Sequence, residues 1–400
     1  MDSLTLPGRP RQMKLRQLRT LAALALALPA VAAVGADTAP AITVGGMPPV
    51  TMHREPTSHG HEREFTSITL LPGRGLNTFQ ITASLPGRGE TELLRSPSLQ
   101  AASEQMNERG EDAFGNLNHS FGGAFLIPFT SRAGGELSDD KKLVTVRWHD
   151  REIRLPNDYL GHYSVHGLIN TLKAEDVRVH QSADGETLTA VIRAGNFGGY
   201  WLSRTDIRYR IELRGDAIDI RITATNTGSE EEPMGMGWHP FLRIVSGDRA
   251  QARVHLPAAR YAVVDTIDGR PTGELRAVEA TANDYRSPAG AVMPDASTSV
   301  NFSKIERTAG SIDAWLADAK ANYAIRVRGL SPQIQTLHLW SAKDDTFCAI
   351  EEQYNYMDAF GPEWHGMDTG MVTLKPGEST EWHVRLELFD PPAVREISVR

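Results

Sequence analysis

The sequence predicts an all-β protein, a large antiparallel β-sandwich with few short helices. From Thr66 onward, apolar and polar residues alternate with a period of two in many segments, a pattern that places successive side chains on opposite faces of a strand. Turn sequences separate these segments, and the strand–helix–strand rhythm of a parallel sheet is missing. With 400 residues, 40% of them hydrophobic, the chain can bury a large core.

The clearest predicted element is a long hairpin. Apolar residues occupy every second position from Ile207 to Leu213 and from Ile218 to Ile222, and charged or polar residues stand between most of them. The turn Arg214-Gly215-Asp216 joins the two segments. This pattern predicts two antiparallel strands with one face in solvent.

Other segments repeat this pattern more briefly. The pentapeptide beginning at Leu71 returns at Leu85, which predicts two turns bounding one strand rather than a repeat array. Further strands are predicted at 143–148, 153–155, 177–179, 188–192 and 382–388. The best helical candidates are Ser98–Met106 and Ile312–Ala319.

The N-terminus has the features of a secretory signal peptide. Basic residues precede an apolar run from Leu21 to Val34, and small residues follow before Asp37. This run is shorter than the roughly 20 residues that span a bilayer, so an uncleaved anchor is the less favoured alternative. We predict a signal peptide at 1–36, a flexible arm at 37–64 and one domain at 65–400. The protein would then be periplasmic or secreted, with no membrane association after signal removal.

The net charge limits the classes of binding partner, and the cysteine count limits the possible disulfides. Removing residues 1–36 changes the formal net charge from −8 to −12, because that segment carries five basic residues and one acidic residue. Such a surface repels nucleic acid and disfavours phosphorylated substrates, although a local basic pocket can override it. The single cysteine, Cys348, excludes an internal disulfide. The oligomeric state is left open.

Familiar cofactor motifs are missing from the sequence. It contains no P-loop, dinucleotide fingerprint, nucleophile elbow or zinc-helix motif, and we predict neither a cofactor nor a metal. His53, His59 and His61 lie in the predicted arm without a spacing that defines a metal geometry, so a solvated tail is the simpler interpretation.

Polar residues in apolar or glycine-rich surroundings are the candidates for chemistry. His239 follows Gly237-Trp238 and precedes Pro240, which suggests the end of a strand facing a concave surface, where imidazole suits proton transfer. Its alternative is a core histidine. Glu351 and Glu352 follow an apolar run, so one carboxylate can face a pocket and the other solvent; their alternative is a pair of solvated charges.

His166, before Gly167, and Arg132, after Thr130-Ser131, are further candidates. Taken alone, each residue is equally compatible with a turn or surface role.

In order, these segments resemble motifs of the aldose 1-epimerase (galactose mutarotase-like) family across residues 66–390. The segments that carry the resemblance are Pro128–Arg132, Glu152–Asp158 with Val165–Gly167, Asn226–Gly228 with Gly237–Phe241, Pro271–Glu274, Cys348–Phe360 and Leu374–Glu378. The resemblance implies a β-supersandwich and interconversion of the α and β anomers of a free aldose or an oligosaccharide reducing end. It implies His239 as acid, Glu351 as base, and Arg132 and His166 as sugar ligands.

Some positions depart from the family pattern. Ser131 stands where the family has asparagine, Leu168 where it has a second glycine, and Pro240 begins a sequence more similar to hexose-6-phosphate epimerases. The family's substrate-binding aspartate has two candidates, Asp284 and Asp265. Trp238, Trp340 and Trp364 are candidates for stacking on the sugar or for the core.

Two further functions are compatible with the sequence. One is a sugar-binding protein that has kept the cleft without catalysis, and the other is a hexose-6-phosphate epimerase, for which Arg243 is the one basic residue near His239. A glycosidase would need two converging carboxylates, and only Glu351 is suitably placed.

Overall fold

The strands that the alternation predicts are present along the whole described chain. The computed structural model describes residues 41–58 and 60–392, so the predicted signal peptide and His59 lie outside the described residues. The first strands are β1 (Val50–His53), β2 (Glu64–Leu71), β3 (Asn77–Leu85), β4 (Gly89–Glu92), β5 (Gly123–Leu126), β6 (Arg132–Gly134), β7 (Glu136–Leu137), β8 (Leu143–Trp148), β9 (Arg151–Pro156), β10 (Tyr163–Val165), β11 (Glu175–Ser182), β12 (Gly185–Gly195), β13 (Thr205–Arg214) and β14 (Ala217–Asn226).

The second half of the chain continues in the same way. Its strands are β15 (Glu232–Met234), β16 (Gly237–Pro240), β17 (Leu242–Arg243), β18 (Ala252–His255), β19 (Ala258–Val264), β20 (Pro271–Ala277), β21 (Ala291–Val292), β22 (Thr298–Ile305), β23 (Ile312–Asp318), β24 (Tyr323–Gly329), β25 (Thr336–Ser341), β26 (Phe347–Gln353), β27 (Val372–Leu374) and β28 (Ser379–Phe389).

Helices are few and short. The helix α1 (Leu99–Gln105) begins after Ser98, whose hydroxyl accepts a hydrogen bond from the Ala101 amide at 3.2 Å, as expected for an N-cap. Short 3₁₀ helices span Gly110–Asp112, Asn116–Ser120, Phe197–Gly199, Arg249–Gln251, Ala319–Ala321 and Pro362–Trp364. Among the described residues, no helix combines the length and the apolar character needed to cross a bilayer.

Two large antiparallel sheets carry the fold. A twelve-stranded sheet runs in the order β1-β2-β3-β5-β16-β26-β25-β22-β19-β20, with β4 beside β3 and β17 beside β26. A nine-stranded sheet runs β11-β12-β13-β14-β28-β24-β23-β18-β21. The predicted hairpin is present as β13 and β14, paired from Thr205–Asn226 to Leu213–Ile218. The predicted all-β class with few short helices is confirmed.

The core lies between these sheets. On β13 the apolar residues Ile207, Ile211 and Leu213 are fully buried, whereas Arg208 and Arg210 between them are exposed. This alternation lets one face of each sheet exclude water while the other carries polar groups. The outer face of the twelve-stranded sheet is therefore free to carry a site.

Two predictions about local structure are wrong. Ile312–Ala319 was expected to be helical, but β23 occupies Ile312–Asp318 between β18 and β24. This strand is buried along nearly its whole length, so both faces carry apolar residues and the alternation that marks a half-buried strand is lost.

The described part of the predicted flexible arm is folded. β1 pairs with β2 over four residues, and Val44 is buried in a small apolar cluster with Leu71 and Phe79. The Glu64 carboxylate accepts hydrogen bonds from the amides and hydroxyls of Thr57 and Ser58. A strand of four residues is too short to show clear periodicity, which explains the error.

Candidate active site

A cavity of about 320 Å³ lies on the outer face of the twelve-stranded sheet. Its volume is within the range of small-ligand sites. It is lined by Asn116, His119, Ser120, Ser131, Arg132, Tyr159, Val165, His166, His239, Ser299, His338, Trp340, Glu351 and Met357. The sequence-predicted residues His239, Glu351, Arg132 and His166 are therefore brought together.

Neighbouring strands supply the floor of the cavity. His239 lies on β16, Glu351 on β26 and His338 on β25, and these strands are consecutive in the sheet. His338 stands directly opposite Glu351 in the β25–β26 register, so both side chains emerge on the same face. On β22, the Ser299 hydroxyl lies 3.2 Å from His338 Nε2.

Connecting segments with unusual backbone conformation form the wall. Ser131 and His166 have positive φ values of 55° and 59°, in the left-handed region that non-glycine residues rarely adopt. The His166 amide donates a hydrogen bond to the Ser131 carbonyl at 2.7 Å, next to the short β6–β10 pair. The β6–β10 pairing holds this backbone conformation in place. His166 and Arg132 therefore lie beside the strands that form the floor of the cavity.

His239 and Glu351 form the central pair. The distance from His239 Nε2 to Glu351 Oε1 is 3.4 Å, and both side chains are almost completely buried. Gln353 Nε2 donates to Glu351 Oε2 at 2.7 Å, while the Gln353 oxygen accepts from the hydroxyls of Thr130 and Ser131, each at 3.2 Å. Because Oε2 is engaged as an acceptor, a proton on Glu351 belongs on Oε1, facing His239.

Burial favours the neutral form of each member of the pair. It raises the pKa of Glu351 well above its usual range, against the opposing effect of the Gln353 hydrogen bond. It lowers the pKa of His239 to about 4. Burial therefore favours a protonated Glu351 beside a neutral His239 in the unliganded pair.

The other histidines of the cavity are also held neutral. Burial lowers the pKa of His338 to about 3 and the pKa values of His119 and His166 well below 6.5, and repulsion between the rings adds to the effect. Their rings are close, with centroids 4.6 Å apart for His119–His166 and 5.2 Å for His166–His239. The cavity thus offers imidazole nitrogens without a cluster of positive charges.

Arg132 is the cation of the cavity wall. Its guanidinium carbon lies 5.4 Å from the Tyr163 ring centroid, and within residues 41–58 and 60–392 its guanidinium nitrogens make no hydrogen bond or ion pair. It therefore keeps its donors for a ligand. Arg243, in contrast, pairs with Glu92 at 3.1 Å and does not line the cavity.

Two predicted site residues lie elsewhere. Trp238 is fully buried beneath the sheet surface, with its indole N–H donating to the Gly123 carbonyl at 3.0 Å, so it belongs to the core. Asp284 forms an ion pair with Arg286 at 2.7 Å outside the cavity lining. Asp265 and Trp364 are also outside it, and only Trp340 of the three predicted tryptophans lines the cavity.

His119, His338 and Gln353 were not predicted. His338 interrupts the mostly apolar strand β25 (Thr336–Ser341), which is a signal like that of His239. His119 lies in a polar stretch with no local pattern, and only the fold brings it to the cavity. No group of three or more histidine, cysteine, aspartate or glutamate side chains in the described part of the chain has the arrangement of a metal site.

Solved structures with the same fold are numerous. A galactose mutarotase-like protein from Clostridium acetobutylicum superimposes with a TM-score of 0.67 at 20% identity, covering 85% of this chain and 98% of that one. The GalM/aldose epimerase homologue from C. elegans has a TM-score of 0.62 at 16% identity, over 82% and 96% of the two chains. Galactose 1-epimerase from Lactobacillus acidophilus has a TM-score of 0.58 at 14% identity, over 86% and 98%.

The fold is that of the galactose mutarotase-like β-supersandwich class. The sequence profile of the family described as aldose 1-epimerase matches residues 100–387, and the chain therefore belongs to the aldose 1-epimerase family. The uncharacterized protein YphB of Escherichia coli K12 is 31% identical over 130 residues, which are 32% of this chain and 39% of that protein. The family supports an aldose epimerase-type function and a sugar substrate.

Proposed function

We propose that this protein is an aldose 1-epimerase that interconverts the α and β anomers of a free aldose or of an oligosaccharide reducing end. The observation that supports this most directly is the buried His239–Glu351 pair, 3.4 Å apart, on the floor of the cavity. Anomer exchange needs one proton removed from the C1 hydroxyl and one delivered to the ring oxygen, and a pair sharing one proton meets that need.

The proposed reaction conserves protons and uses no other reactant. The ionised member of the pair takes the C1 hydroxyl proton, the bond between C1 and the ring oxygen breaks, and the protonated member gives its proton to that oxygen. The C1–C2 bond then rotates, and the reverse transfers close the ring on the other face of the aldehyde. Arg132 and His166 would hold sugar oxygens during these steps.

The position of the shared proton adds a step to the roles implied by sequence. With Glu351 as base and His239 as acid, the resting proton on Oε1 must first move to His239 Nε2 as the sugar binds. The polar sugar and the Arg132 charge favour this ion-pair form, because they offset the desolvation that disfavours it in the empty cavity. Glu351 is then ionised and His239 protonated, as catalysis requires.

Polarimetry of freshly dissolved α-D-glucose and α-D-galactose tests the proposal. We expect rapid mutarotation with the wild-type protein and a loss of about 10²–10⁴-fold in kcat for both His239→Ala and Glu351→Gln. Binding of either sugar without acceleration of mutarotation would contradict the enzyme and favour the non-catalytic sugar-binding alternative.

The substrate we propose is unphosphorylated. Arg243, the basic residue that suggested a sugar phosphate, is committed to Glu92, and Arg132 is the only Lys or Arg side chain among those that line the cavity in the described residues. Comparing kcat/KM for galactose, glucose and glucose 6-phosphate tests this choice. A preference for the phosphate ester would instead support the hexose-6-phosphate epimerase alternative.

We also propose that the protein is exported and acts in the periplasm or outside the cell. The support is the basic and apolar N-terminal sequence before Asp37. N-terminal sequencing of the mature protein after expression in a Gram-negative host tests it, and an intact N-terminus on protein recovered from the cytosol would contradict it.

A further inference from the structure

A chain of buried side chains, one arginine followed by two asparagine amides, leads from the protein interior to His119. Arg74 is fully buried, with Nη2 donating to Asp112 at 2.6 Å and Nε donating to Asn118 Oδ1 at 3.3 Å. Asn118 contacts Asn170, and Asn170 Nδ2 lies 2.8 Å from His119 Nε2. We call Arg74, Asn118 and Asn170 the amide relay.

The chemistry of each partner fixes the direction of these bonds. Arginine only donates, so the Asn118 oxygen must face Arg74. The Asn118 amide nitrogen in turn donates to the backbone carbonyls of Arg74 and Asn170 at 3.1 Å and 3.0 Å, which can only accept. Two independent sets of contacts thus give Asn118 the same orientation, with its NH₂ group toward Asn170.

The same logic extends to His119. Asn118 Nδ2 is 3.3 Å from Asn170 Oδ1, so the Asn170 oxygen faces a donor and its NH₂ group faces the imidazole. His119 Nε2 must then accept a hydrogen bond, which leaves the proton of the neutral ring on Nδ1. An imidazolium, with donors at both nitrogens, would break this contact.

We propose that His119 is a positioning residue of the site, held by the amide relay as a neutral ring with its proton on Nδ1, so that it supports His166 without adding a positive charge. The two rings are 4.6 Å apart, and His166 is 5.2 Å from His239. A cation at His119 would oppose protonation of His239, the step that the proposed function requires.

The charges around His119 agree with a neutral ring. The titratable or charged groups that act on it are His239, Arg74 and the adjacent His166. Burial lowers the pKa of His119 well below 6.5, and His239 and Arg74 lower it further. None of these groups is a carboxylate that would stabilise the imidazolium.

The first test measures the ring directly. In the full-length protein labelled with ¹⁵N-histidine, NMR should show a protonated Nδ1 and an unprotonated Nε2 for His119 throughout pH 6–8, with the signals assigned by their loss in His119→Gln. A protonated Nε2, or an imidazolium in this range, would overturn the proposal. This readout does not depend on activity, so it stands even if the proposed epimerase function fails.

The second test reverses one bond of the amide relay. Asn170→Asp keeps an oxygen for Asn118 and replaces only the donor that faces His119, so His119 Nε2 becomes a donor and its pKa rises. The expected result rests on the proposed function. Mutarotation by Asn170→Asp should fall about tenfold or more at pH 6 and recover to within about threefold of wild type at pH 9.

The double variant Asn170→Asp/His119→Gln provides the control, because it keeps the new carboxylate and removes the ring. Its activity should lack the added loss at pH 6. Equal losses at pH 6 and pH 9 in Asn170→Asp, or a double variant that keeps the pH dependence of Asn170→Asp, would contradict the positioning role. Circular dichroism and thermal melting of each variant check that it is folded.

Discussion

Glu351 and Glu352 are adjacent on one strand, fully buried and chemically identical, yet they face opposite sides of the twelve-stranded sheet. Glu351 opens on the cavity, with Gln353 and His239 as partners. Glu352 points into the interior between the sheets, where its Oε2 approaches Gly329 of β24 and neither carboxylate oxygen has a hydrogen-bond partner among the described residues.

These two glutamates are equally buried, so burial alone does not tell a candidate catalytic carboxylate from a structural one. Burial raises the pKa of both carboxyls well above their usual range, although the positive charge of Arg307 acts to lower the pKa of Glu352. A perturbed pKa alone therefore does not mark a catalytic group. What distinguishes Glu351, the base of the proposed reaction, is His239 at 3.4 Å and a cavity that a ligand can enter.

The largest expected contrast between the two positions is in activity. Glu351→Gln should lower kcat by about 10²–10⁴-fold, because it removes the proposed proton-transfer group, whereas Glu352→Gln should keep kcat within about threefold of wild type. Polarimetry under identical conditions measures both. Comparable losses in the two variants would show that Glu352 contributes to the site, and the comparison would fail.

The second contrast concerns the acidic limb of the pH profile. The proposed reaction needs one proton on the His239–Glu351 pair, and that state is lost when His239 also becomes protonated. Because burial lowers the pKa of His239 to about 4, kcat/KM should fall below about pH 4 rather than near 6.5, and Glu352→Gln should leave this limb unchanged. A limb near 6.5 would mean that His239 is solvated in the free enzyme.

The smallest effect we expect is on stability. Because the folded pKa of Glu352 is raised, the folded state binds more protons than the unfolded state, and stability falls as pH rises above about 4.3. Glu352→Gln should therefore be more stable than wild type at pH 7.5 by about 1–3 kcal/mol, with little difference near pH 4. Guanidinium unfolding at both pH values measures this, and a difference that is independent of pH would contradict it.

Sequence alone predicted the half-buried parts of the fold best. The β13–β14 hairpin shows clear alternation because one face meets water, whereas β23, buried on both faces, lost that signal and was mistaken for a helix. Alternation also predicted that Glu351 and Glu352 face opposite sides, but the expectation that one of them faces solvent is wrong, because Glu352 is fully buried. Alternation could not decide which side holds the cavity, and family resemblance supplied that choice.

For the site, the predictable residues are those with a local signature. His239, His166, Arg132 and Glu351 stand in motifs, and all four line the cavity. His119 and the amide relay come from segments far apart in the chain, so no local pattern identifies them. Asp284 was expected from the order of family motifs, but its segment pairs with Arg286 away from the cavity.

Cys348 has a practical consequence for work with this protein. It is the only cysteine of the sequence, and burial on β26 raises the pKa of its thiol to about 12. Its thiolate is scarce and shielded, so alkylating reagents and mild oxidants should leave the folded protein unmodified. A cysteine introduced at an exposed position, such as Ile267, would therefore be the single reactive site for labelling with a fluorophore.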